Sequence, residues 1–229
     1  MRLGRVINGR SSLSSLGVTD LDSSLSKSNA SKCPPCGGVL LNNMKNIFII
    51  SGPSGAGQDS VIDGLKKLLP IEVVVTSTTR PKRSGEREGN PYYFVPFDQF
   101  EHDIRSGKFL EYAQTYNDQY YGVTHEEIQR VEKSGRIGIW KMDWRGTETA
   151  KRIFPDIISI LISAPLSVLE TRIRKRDNPS EEFMRSRMKY TQEFFQHLDI
   201  YDYQIENEEG KLDKTITQVK TIIEERLAC

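Results

Sequence analysis

The fold of this chain is decided by residues 48–65, which read FIISGPSGAGQDSVIDGL. An apolar run opens the stretch, a turn rich in glycine follows, and apolar residues at helical spacing complete it. A buried strand, a tight turn and an amphipathic helix follow one another in this way in α/β proteins. We therefore predict a strand over residues 46–51 and a helix over residues 59–69.

The turn at residues 52–57 has the composition of a phosphate-binding loop, with three glycines in six residues. Glycine lets backbone N–H groups turn inward and approach a phosphate closely, and the helix that follows adds the positive end of its dipole. The alternative is a tight strand-to-helix turn that binds no ligand. Three glycines directly after a buried strand favour the phosphate site.

Two positions depart from the phosphate-loop pattern G-x-x-x-x-G-K-[ST], in which the lysine contacts the β- and γ-phosphates and the hydroxyl binds Mg²⁺. Gln58 stands at the lysine position without a charge, and Asp59 stands at the hydroxyl position. Loss of a cation from a phosphoryl-transfer site costs several kcal/mol unless another cation replaces it. Asp59 is a good hard ligand for Mg²⁺, but the helix dipole also favours an acid here, and Ser60 offers a hydroxyl one residue later.

The composition of the whole chain limits the possible functions. The chain has 229 residues, of which 37% are hydrophobic, and its net charge is +1. These values suit one α/β domain, which we expect in the cytoplasm, and no apolar run approaches the ~20 residues that span a bilayer. The small net charge gives no overall basic field, so any anion site has to be local. We therefore expect neither a membrane nor a nucleic-acid partner.

Residues 1–43 differ in composition from the rest of the chain. They contain nine serines, five basic residues and two acids, and we predict a disordered N-terminal extension. There are two alternatives: an organelle transit peptide, or a start codon assigned too early, with Met44 as the true start. Cys33 and Cys36 form a lone CxxC without a second pair, so we interpret them, with Cys229, as reduced cysteines rather than zinc ligands.

Beyond the loop, predicted strands and helices alternate along the chain. A segment rich in Gly, Pro and Tyr contains short β-like pieces at 92–95 and 110–115 and a helix at 97–106. The other predicted strands are 71–76, 136–142, 157–163 and 203–206, and the other predicted helices are 145–153, 167–176, 180–197 and 212–227. This alternation predicts an α/β fold with a mostly parallel sheet that helices cover on both faces.

Two further stretches carry a family resemblance, TSTTRPKRSGEREGNPYYF at 76–94 and LEYAQTYNDQYYG at 110–122. Together with the loop, they resemble guanylate kinases in order and spacing over about residues 45–227. The resemblance implies a P-loop nucleoside-monophosphate-kinase fold with a core at 44–76 and 125–229, an inserted small mixed GMP-binding domain at 77–124, and a helical lid at about 172–190. It also implies ATP-dependent conversion of GMP to GDP with Mg²⁺, by a monomer or a homodimer whose substrates are ATP and GMP.

By this resemblance, Arg80 and Arg83 grip the GMP phosphate, and two arginines three residues apart can fork onto one dianion. Glu111 reads guanine, because a carboxylate accepts hydrogen bonds from the ring N1–H and the exocyclic amino group together. Val123 departs from the family pattern, which has Ser or Thr after Tyr-Tyr-Gly, and Thr124 is a candidate replacement. The implied GMP-binding residues are Thr76, Arg80, Arg83, Tyr92, Glu111, Tyr121, Val123 and Asp143.

The resemblance also assigns the ATP side. Arg176 and Arg187 match arginines that close over the ATP phosphates, and Asn207 matches a residue near the adenine. Asp143 follows a central strand at its carboxyl end, where open α/β sheets bind ligands; it would position Arg80 or a Mg²⁺-bound water, or alternatively cap the next helix. The implied ATP-binding residues are Gly52, Pro53, Ser54, Gly55, Ala56, Gly57, Gln58, Asp59, Ser60 and Asn207, with Asp59 as the metal ligand.

A lysine at position 141 offers a replacement for the missing charge at position 58. The family commonly has Asp-x-Asp in this central strand, whereas this chain has Lys141 and Asp143. The strand should lie near the loop strand, and residues two apart share one face of a sheet. We hypothesise that Lys141 reaches the β- and γ-phosphates; the alternative is a decayed kinase. The catalytic residues are then Lys141, Arg80, Asp143, Arg176 and Arg187.

The sequence is also compatible with two other functions. The first is a non-catalytic guanylate-kinase-like module that binds a phosphopeptide or a nucleotide, which the loss of the loop lysine at Gln58 favours. The second is a kinase of a different small phosphorylated acceptor, for which Val123 leaves room. ATP binding without turnover would indicate the first function, and turnover with another acceptor would indicate the second.

Overall fold

The computed structural model describes residues 44–114 and 118–228, which form two five-stranded sheets with helices around them. The predicted extension at 1–43 and the cysteines Cys33, Cys36 and Cys229 lie outside the described residues. The strands, in chain order, are β1 Ile47–Ser51, β2 Ile71–Val73, β3 Thr76–Thr78, β4 Arg87–Glu88, β5 Pro91–Phe94, β6 Phe109–Gln114, β7 Tyr120–Thr124, β8 Ile137–Met142, β9 Ile158–Ser163 and β10 Tyr203–Glu206. The helices are α1 Gln58–Lys66, α2 Phe97–Arg105, α3 His125–Lys133, α4 Trp144–Ile153, α5 Leu166–Asp177, α6 Glu181–Phe194 and α7 Leu212–Leu227.

The first sheet is parallel throughout and has the strand order β10-β9-β1-β8-β2. Every residue of its central strand β1 is buried, because helices cover both faces. Phe48 and Ile50 pack with the helices α1 and α7, whereas Ile47 and Ile49 pack on the other face with α3 and α4. The predicted α/β fold, with a parallel sheet covered on both sides, is therefore confirmed.

The second sheet is mixed and is formed by strands between Thr76 and Thr124, in the order β4-β5-β3-β7-β6. Strand β3 pairs parallel with β5 and antiparallel with β7. The helix α2 contributes Phe100, whose ring stacks on Phe109 at 4.2 Å and on Tyr120 at 5.3 Å between centroids. This aromatic cluster gives the smaller sheet a hydrophobic contact of its own.

Helices α5 and α6 form a hairpin whose corner is defined by two local signals. Asn178 ends α5 in the left-handed conformation, at φ 41°, which asparagine tolerates better than most residues. Ser180 then caps α6, because its side chain accepts a hydrogen bond from the Phe183 N–H. The far end of α6 is attached to the core through Phe194, which is fully buried and stacks on Tyr201.

The structure differs from the predicted elements in several places. Strands β4 and β7 were not predicted, and α6 ends at Phe194 rather than at residue 197. The predicted strand 71–76 divides into β2 and β3, which belong to different sheets, so the chain passes from one sheet to the other at residues 74–75. Helix α1 ends at Lys66, three residues before its predicted end. Helix α3 was not predicted, because only Ile128 and Val131 bury an apolar side chain in its charged sequence. Within the described ranges, no helix is both long and apolar enough to cross a membrane.

Candidate active site

The loop between β1 and α1 is held tightly against the neighbouring strand. A Cβ at Gly52 would lie 2.2 Å from the carbonyl oxygen of Ile162 in β9, so only glycine fits there. Gly55 and Gly57 adopt positive φ angles of 85° and 93°, which L-residues with side chains rarely adopt. Ser51, directly before the loop, hydrogen-bonds Tyr201 at 2.8 Å between the two hydroxyl oxygens. These requirements explain the three glycines.

Asn207 anchors the loop from the side of β10. Its amide Nδ2 donates to the carbonyl oxygen of Ala56 at 2.8 Å, and the residue is buried. A Cβ at Gly57 would lie 2.4 Å from the same nitrogen, so the side chain and the loop are in close contact. The structure thus gives Asn207 a loop-positioning role that the sequence did not indicate, while its nearness to a bound adenine stays a prediction.

The two altered loop positions have different surroundings. The Gln58 amide nitrogen lies 3.3 Å from where a Cβ of Gly52 would be, so this side chain folds back across the loop. The Asp59 carboxylate instead binds the amine of Lys141, with Oδ1 and Nζ 2.6 Å apart. The Asp59 side chain is 75% exposed and that of Lys141 only 23%. The predicted proximity of strand β8 to the loop therefore brings Lys141 to the second residue of α1.

Lys141 also lies next to the smaller sheet. Its Nζ is 6.0 Å from the ring centroid of Tyr92, and its neighbour in the large sheet is Ile50 of β1. Burial alone would lower the pKa of Lys141, but its interactions with Tyr92 and Asp59 outweigh burial and raise the pKa above its ordinary value. The amine is therefore a stable cation at neutral pH, between the loop helix and the second sheet.

Arg80 is buried at the centre of the predicted acceptor-phosphate region. Its guanidinium donates to Glu86 at 2.7 Å and to the carbonyl oxygen of Pro81 at 2.9 Å. It lies 5.3 Å from the Tyr92 ring centroid, and the Tyr92 and Tyr121 rings meet edge to face at 5.8 Å. Arg80, Tyr92 and Tyr121 are thus brought together, as a shared phosphate site requires.

Glu86 organises this region and was missed in the sequence. One of its oxygens binds Arg80 and the other accepts from the backbone N–H of Arg83 at 2.8 Å. The hydrogen bond from Arg80 holds the pKa of Glu86 below its ordinary value. The signal that could have found it is an acid three residues after Arg83 in the same turn. Arg83 itself is exposed.

Glu111, the predicted guanine reader, is a buried carboxyl on β6. Burial, together with the nearby charge of Asp143, raises its pKa to about 8. Val123, which departs from the family pattern, pairs with Glu111 across β6 and β7 and is completely buried. The site thus combines an acid that resists ionisation with an apolar neighbour.

Thr76, another predicted GMP-binding residue, is half-buried at the start of β3.

Asp143 has the contacts of a helix cap. Its Oδ1 accepts from the N–H of Gly146 at 3.0 Å in the first turn of α4, which is the capping alternative that the sequence left open. Its Oδ2 accepts from the hydroxyl of Tyr190 at 2.5 Å, so the strand end is tied to α6. The carboxylate lies close enough to Glu111 to raise its pKa, whereas the Arg80 guanidinium donates to Glu86 and Pro81. A role in catalysis stays a prediction.

The arginines of the predicted lid have different contacts. The Nη2 of Arg176 is 3.5 Å from the Ser54 hydroxyl, and its guanidinium forks onto Asp177. Arg172 donates to the carbonyl oxygens of Gly55 at 3.4 Å and Asn207 at 3.1 Å, so it braces the loop from outside. The guanidinium of Arg187 lies 5.1 Å from the Phe183 ring centroid.

A groove of about 720 Å³ separates α1 and the edge of the large sheet from the smaller sheet. Asp59, Thr76, Tyr92 and Lys141 all line it. No group of three or more His, Cys, Asp or Glu side chains that could hold a metal ion occurs in the part of the chain that the structure describes. A metal bound here would therefore need oxygens from a ligand, as Mg²⁺ commonly does.

Comparison with known proteins identifies the family. A family model described as "Guanylate kinase" matches residues 44–226, which is most of the chain. The chain belongs to the guanylate kinase family. Curated guanylate kinases from Sodalis glossinidius (strain morsitans) and Escherichia coli O157:H7 are 39% and 38% identical over 181 residues, each covering 77% of this chain and 86% of the relative. The guanylate kinase of Rickettsia felis is 35% identical over 187 residues, covering 81% of this chain and 96% of the relative.

A solved structure supports the same family. The crystal structure of guanylate kinase from Anaplasma phagocytophilum is 26% identical and superposes with a TM-score of 0.61, covering 78% of this chain and 84% of that one. The predicted resemblance to guanylate kinases and the fold class are both confirmed. Because the relatives are named guanylate kinases, membership of this family makes the chain a phosphotransferase.

Proposed function

We propose that this protein transfers a phosphoryl group from ATP to GMP, giving ADP and GDP. The observation that carries this function is the arrangement around Lys141, whose amine binds Asp59 on the loop helix and lies 6.0 Å from the Tyr92 ring centroid. The helix that follows the glycine-rich loop and Tyr92, which lies next to Arg80 and Tyr121, are therefore both close to one cation. The names of the curated relatives support this reaction.

The proposed mechanism depends on positioning and on charge. The backbone N–H groups of 52–57 and the dipole of α1 hold the ATP phosphates, with Ser54 and Ser60 as neighbouring hydroxyls. Arg80 and Arg83 hold the acceptor phosphate together with the hydroxyls of Tyr92 and Tyr121. An oxygen of the GMP phosphate then attacks in line. No covalent nucleophile or strong base is required, because phosphoryl transfer is accelerated mainly by orientation and by charge stabilisation.

Guanine recognition is assigned to Glu111. The ring N1–H and the amino group are two donors side by side, and an ionised carboxylate accepts both. The pKa of Glu111 is about 8 before the base binds, so the carboxyl is protonated at neutral pH. Binding of guanine therefore has to be accompanied by loss of this proton. Val123 supplies only apolar contact on the paired strand, so the selectivity for guanine depends mainly on Glu111.

The residues at the loop fit a Mg²⁺ ion that comes with ATP. Asp59 presents one largely exposed carboxylate at the start of α1, and one carboxylate together with phosphate oxygens is a usual Mg²⁺ environment. When bound, Mg²⁺ neutralises charge on the phosphate oxygens. If Asp59 turned to the metal with the oxygen that now accepts from Lys141, the Lys141 amine would be free to reach the phosphates.

We assign to Lys141 the charge that the family lysine supplies at position 58. Its amine is positively charged, is mostly buried, and already contacts the residue that follows Gln58. Arg176, 3.5 Å from Ser54, is another cation next to the loop, and it belongs to the proposed lid. A lysine on a rigid strand is present before the lid closes, whereas the arginine depends on lid position. This distinction favours Lys141 as the permanent replacement.

The reaction is tested by GDP formation from ATP and GMP with Mg²⁺, using the full chain and two variants. Lys141→Met should lower kcat/KM by about a hundredfold, because a charge in a phosphoryl-transfer site is lost. Lys151→Met is the matched control: Lys151 also binds an aspartate at 2.6 Å and is 20% exposed, but its partner Asp202 lies away from the loop. Equal activity of both variants would contradict the role of Lys141.

A non-catalytic binding module is the second candidate, and the observation that favours it is the uncharged Gln58. It predicts that the full chain binds GMP but forms no GDP at any ATP concentration. Titration of GMP by calorimetry, beside the turnover assay, separates the two functions. Turnover with another nucleoside monophosphate and not with GMP would instead indicate a different acceptor.

A further inference from the structure

Asp177 lies close enough to three arginines to be affected by their charges: Arg176, its neighbour in the chain, and Arg83 and Arg187 from other parts of the chain. Arg176 forks onto its carboxylate, with Nε to Oδ1 and Nη2 to Oδ2 both at 2.8 Å. This hydrogen bonding lowers the pKa of Asp177 below its ordinary value, and the charges of Arg83 and Arg187 lower it further. Arg83 belongs to the turn of the smaller sheet and Arg187 to α6.

The position of Asp177 is fixed by the corner between the lid helices. Asp177 is the last residue of α5, and Asn178 turns the chain in the left-handed conformation directly after it. Arg176 therefore holds a carboxylate with one of its edges while its Nη2 remains 3.5 Å from the hydroxyl of Ser54 in the loop. The guanidinium is shared between an internal anion and the site proposed for the ATP phosphates.

We propose that Asp177 is a positioning residue that substitutes for a phosphate group in the substrate-free protein. It keeps Arg176 oriented and offsets repulsion among Arg176, Arg83 and Arg187, and a phosphate of the bound nucleotide displaces it. A bidentate carboxylate and a phosphate present equivalent oxygen pairs to a guanidinium, so each can replace the other. The proposal rests on the assignment of the loop and these arginines to phosphate binding.

This arrangement has opposite effects on binding and on turnover. The carboxylate competes with phosphate oxygens for Arg176, so its removal should strengthen nucleotide binding. The same removal leaves the guanidinium without the partner that orients it, so turnover should fall. A residue that only stabilised the lid would not strengthen binding when it is removed.

The test compares Asp177→Asn with Glu181→Gln in the full chain. Glu181 is a matched control, because it also takes two hydrogen bonds from a lid arginine, Arg174, at 2.6 and 3.1 Å. The dissociation constant of MgATP is measured by calorimetry at low and at high salt, and kcat and KM are measured with GMP. For Asp177→Asn we expect a Kd about two- to fivefold lower at low salt, a smaller difference at high salt, and a lower kcat.

The control should have an unchanged Kd. An unchanged or higher Kd for Asp177→Asn, or the same decrease in Glu181→Gln, would overturn the proposal, because the carboxylate would then not compete with phosphate. The binding measurement does not depend on turnover. If the parent forms no GDP but Asp177→Asn binds MgATP more tightly, the kinase function fails and the role of Asp177 stands. If the parent forms GDP and the Kd does not change, only the role of Asp177 fails.

Discussion

The two regions proposed to bind phosphate carry their positive charge in different ways. In the smaller sheet, Arg80 belongs to the recognisable stretch at 76–94. Glu86 holds its guanidinium in place through a 2.7 Å hydrogen bond. At the loop, the glycine backbone is retained but its lysine is absent, and the nearest cations come from β8 and α5. The comparison indicates that a backbone cradle and the charge that serves it can be supplied by separate elements.

The largest expected effect is on the smaller sheet, where Arg80 is the buried cation and Arg83 is exposed. Arg80→Met should lower kcat/KM for GMP by about a thousandfold, because the exposed Arg83 cannot take the fixed, buried position of Arg80. MgATP binding should be nearly unchanged. Steady-state kinetics and calorimetry check both results.

Lys82→Met is the control for this experiment, since Lys82 is an exposed cation of the same turn. Equal losses in the two variants would mean that the general positive charge of the turn matters and not the fixed fork of Arg80. The contrast between the two regions would then disappear.

Glu111 gives a smaller effect that depends on pH. Its pKa of about 8 lies above the ordinary value for glutamate, so the carboxyl is uncharged at neutral pH in the empty site. Guanine requires the ionised form, so KM for GMP should fall as pH rises from about 6.5 to about 8, by up to about tenfold per pH unit. Glu111→Gln should raise KM and abolish the pH dependence.

The same carboxyl should affect folding in the opposite direction. Between the unfolded pKa near 4.5 and the folded pKa of about 8, the folded protein holds a proton that the unfolded chain has released. Stability should therefore decrease as pH rises through this window and level off above it. Urea denaturation of the parent and Glu111→Gln at several pH values checks the sign; a parallel dependence in both proteins would exclude Glu111 as the cause.

The smallest expected effect concerns the backbone of the loop. Asn207→Ala removes the 2.8 Å hydrogen bond to Ala56 and should destabilise the protein by about 1–2 kcal/mol, because a buried carbonyl loses its partner. KM for ATP should rise several-fold with little change in KM for GMP. An equal change in both KM values would show that the effect is not confined to the loop.

The sequence predicted those parts of the fold that depend on residues close together in the chain. The strand, glycine turn and helix at 46–69 follow from apolar spacing and from glycine, and the parallel sheet follows from the alternation of elements. The division of 71–76 between two sheets depends on distant partners, so no local pattern could indicate it. Helix α3 was not predicted because its buried face contains so few apolar residues. The main sign of this helix in the sequence is the threonine that caps its start.

Site residues were predictable from the sequence only where they belong to a recognisable motif. Arg80, Tyr92 and Glu111 stand in recognisable stretches, and the structure brings Arg80 to Tyr92. Glu86 contacts its neighbours in a turn and Asp177 contacts Arg176 at a helix end, and a sequence does not specify the geometry of either place. Asp143 has a capping role that the sequence could only offer as one of two alternatives.

The most direct test of the central claim, that Lys141 replaces the loop lysine, is the kcat/KM of Gln58→Lys measured alone and with Lys141→Met. If the charge has moved to β8, a lysine at 58 should restore about tenfold or more of the activity that Lys141→Met loses, and should add much less to the parent. If Gln58→Lys raises activity by the same factor in both backgrounds, the two positions act independently and the claim is contradicted.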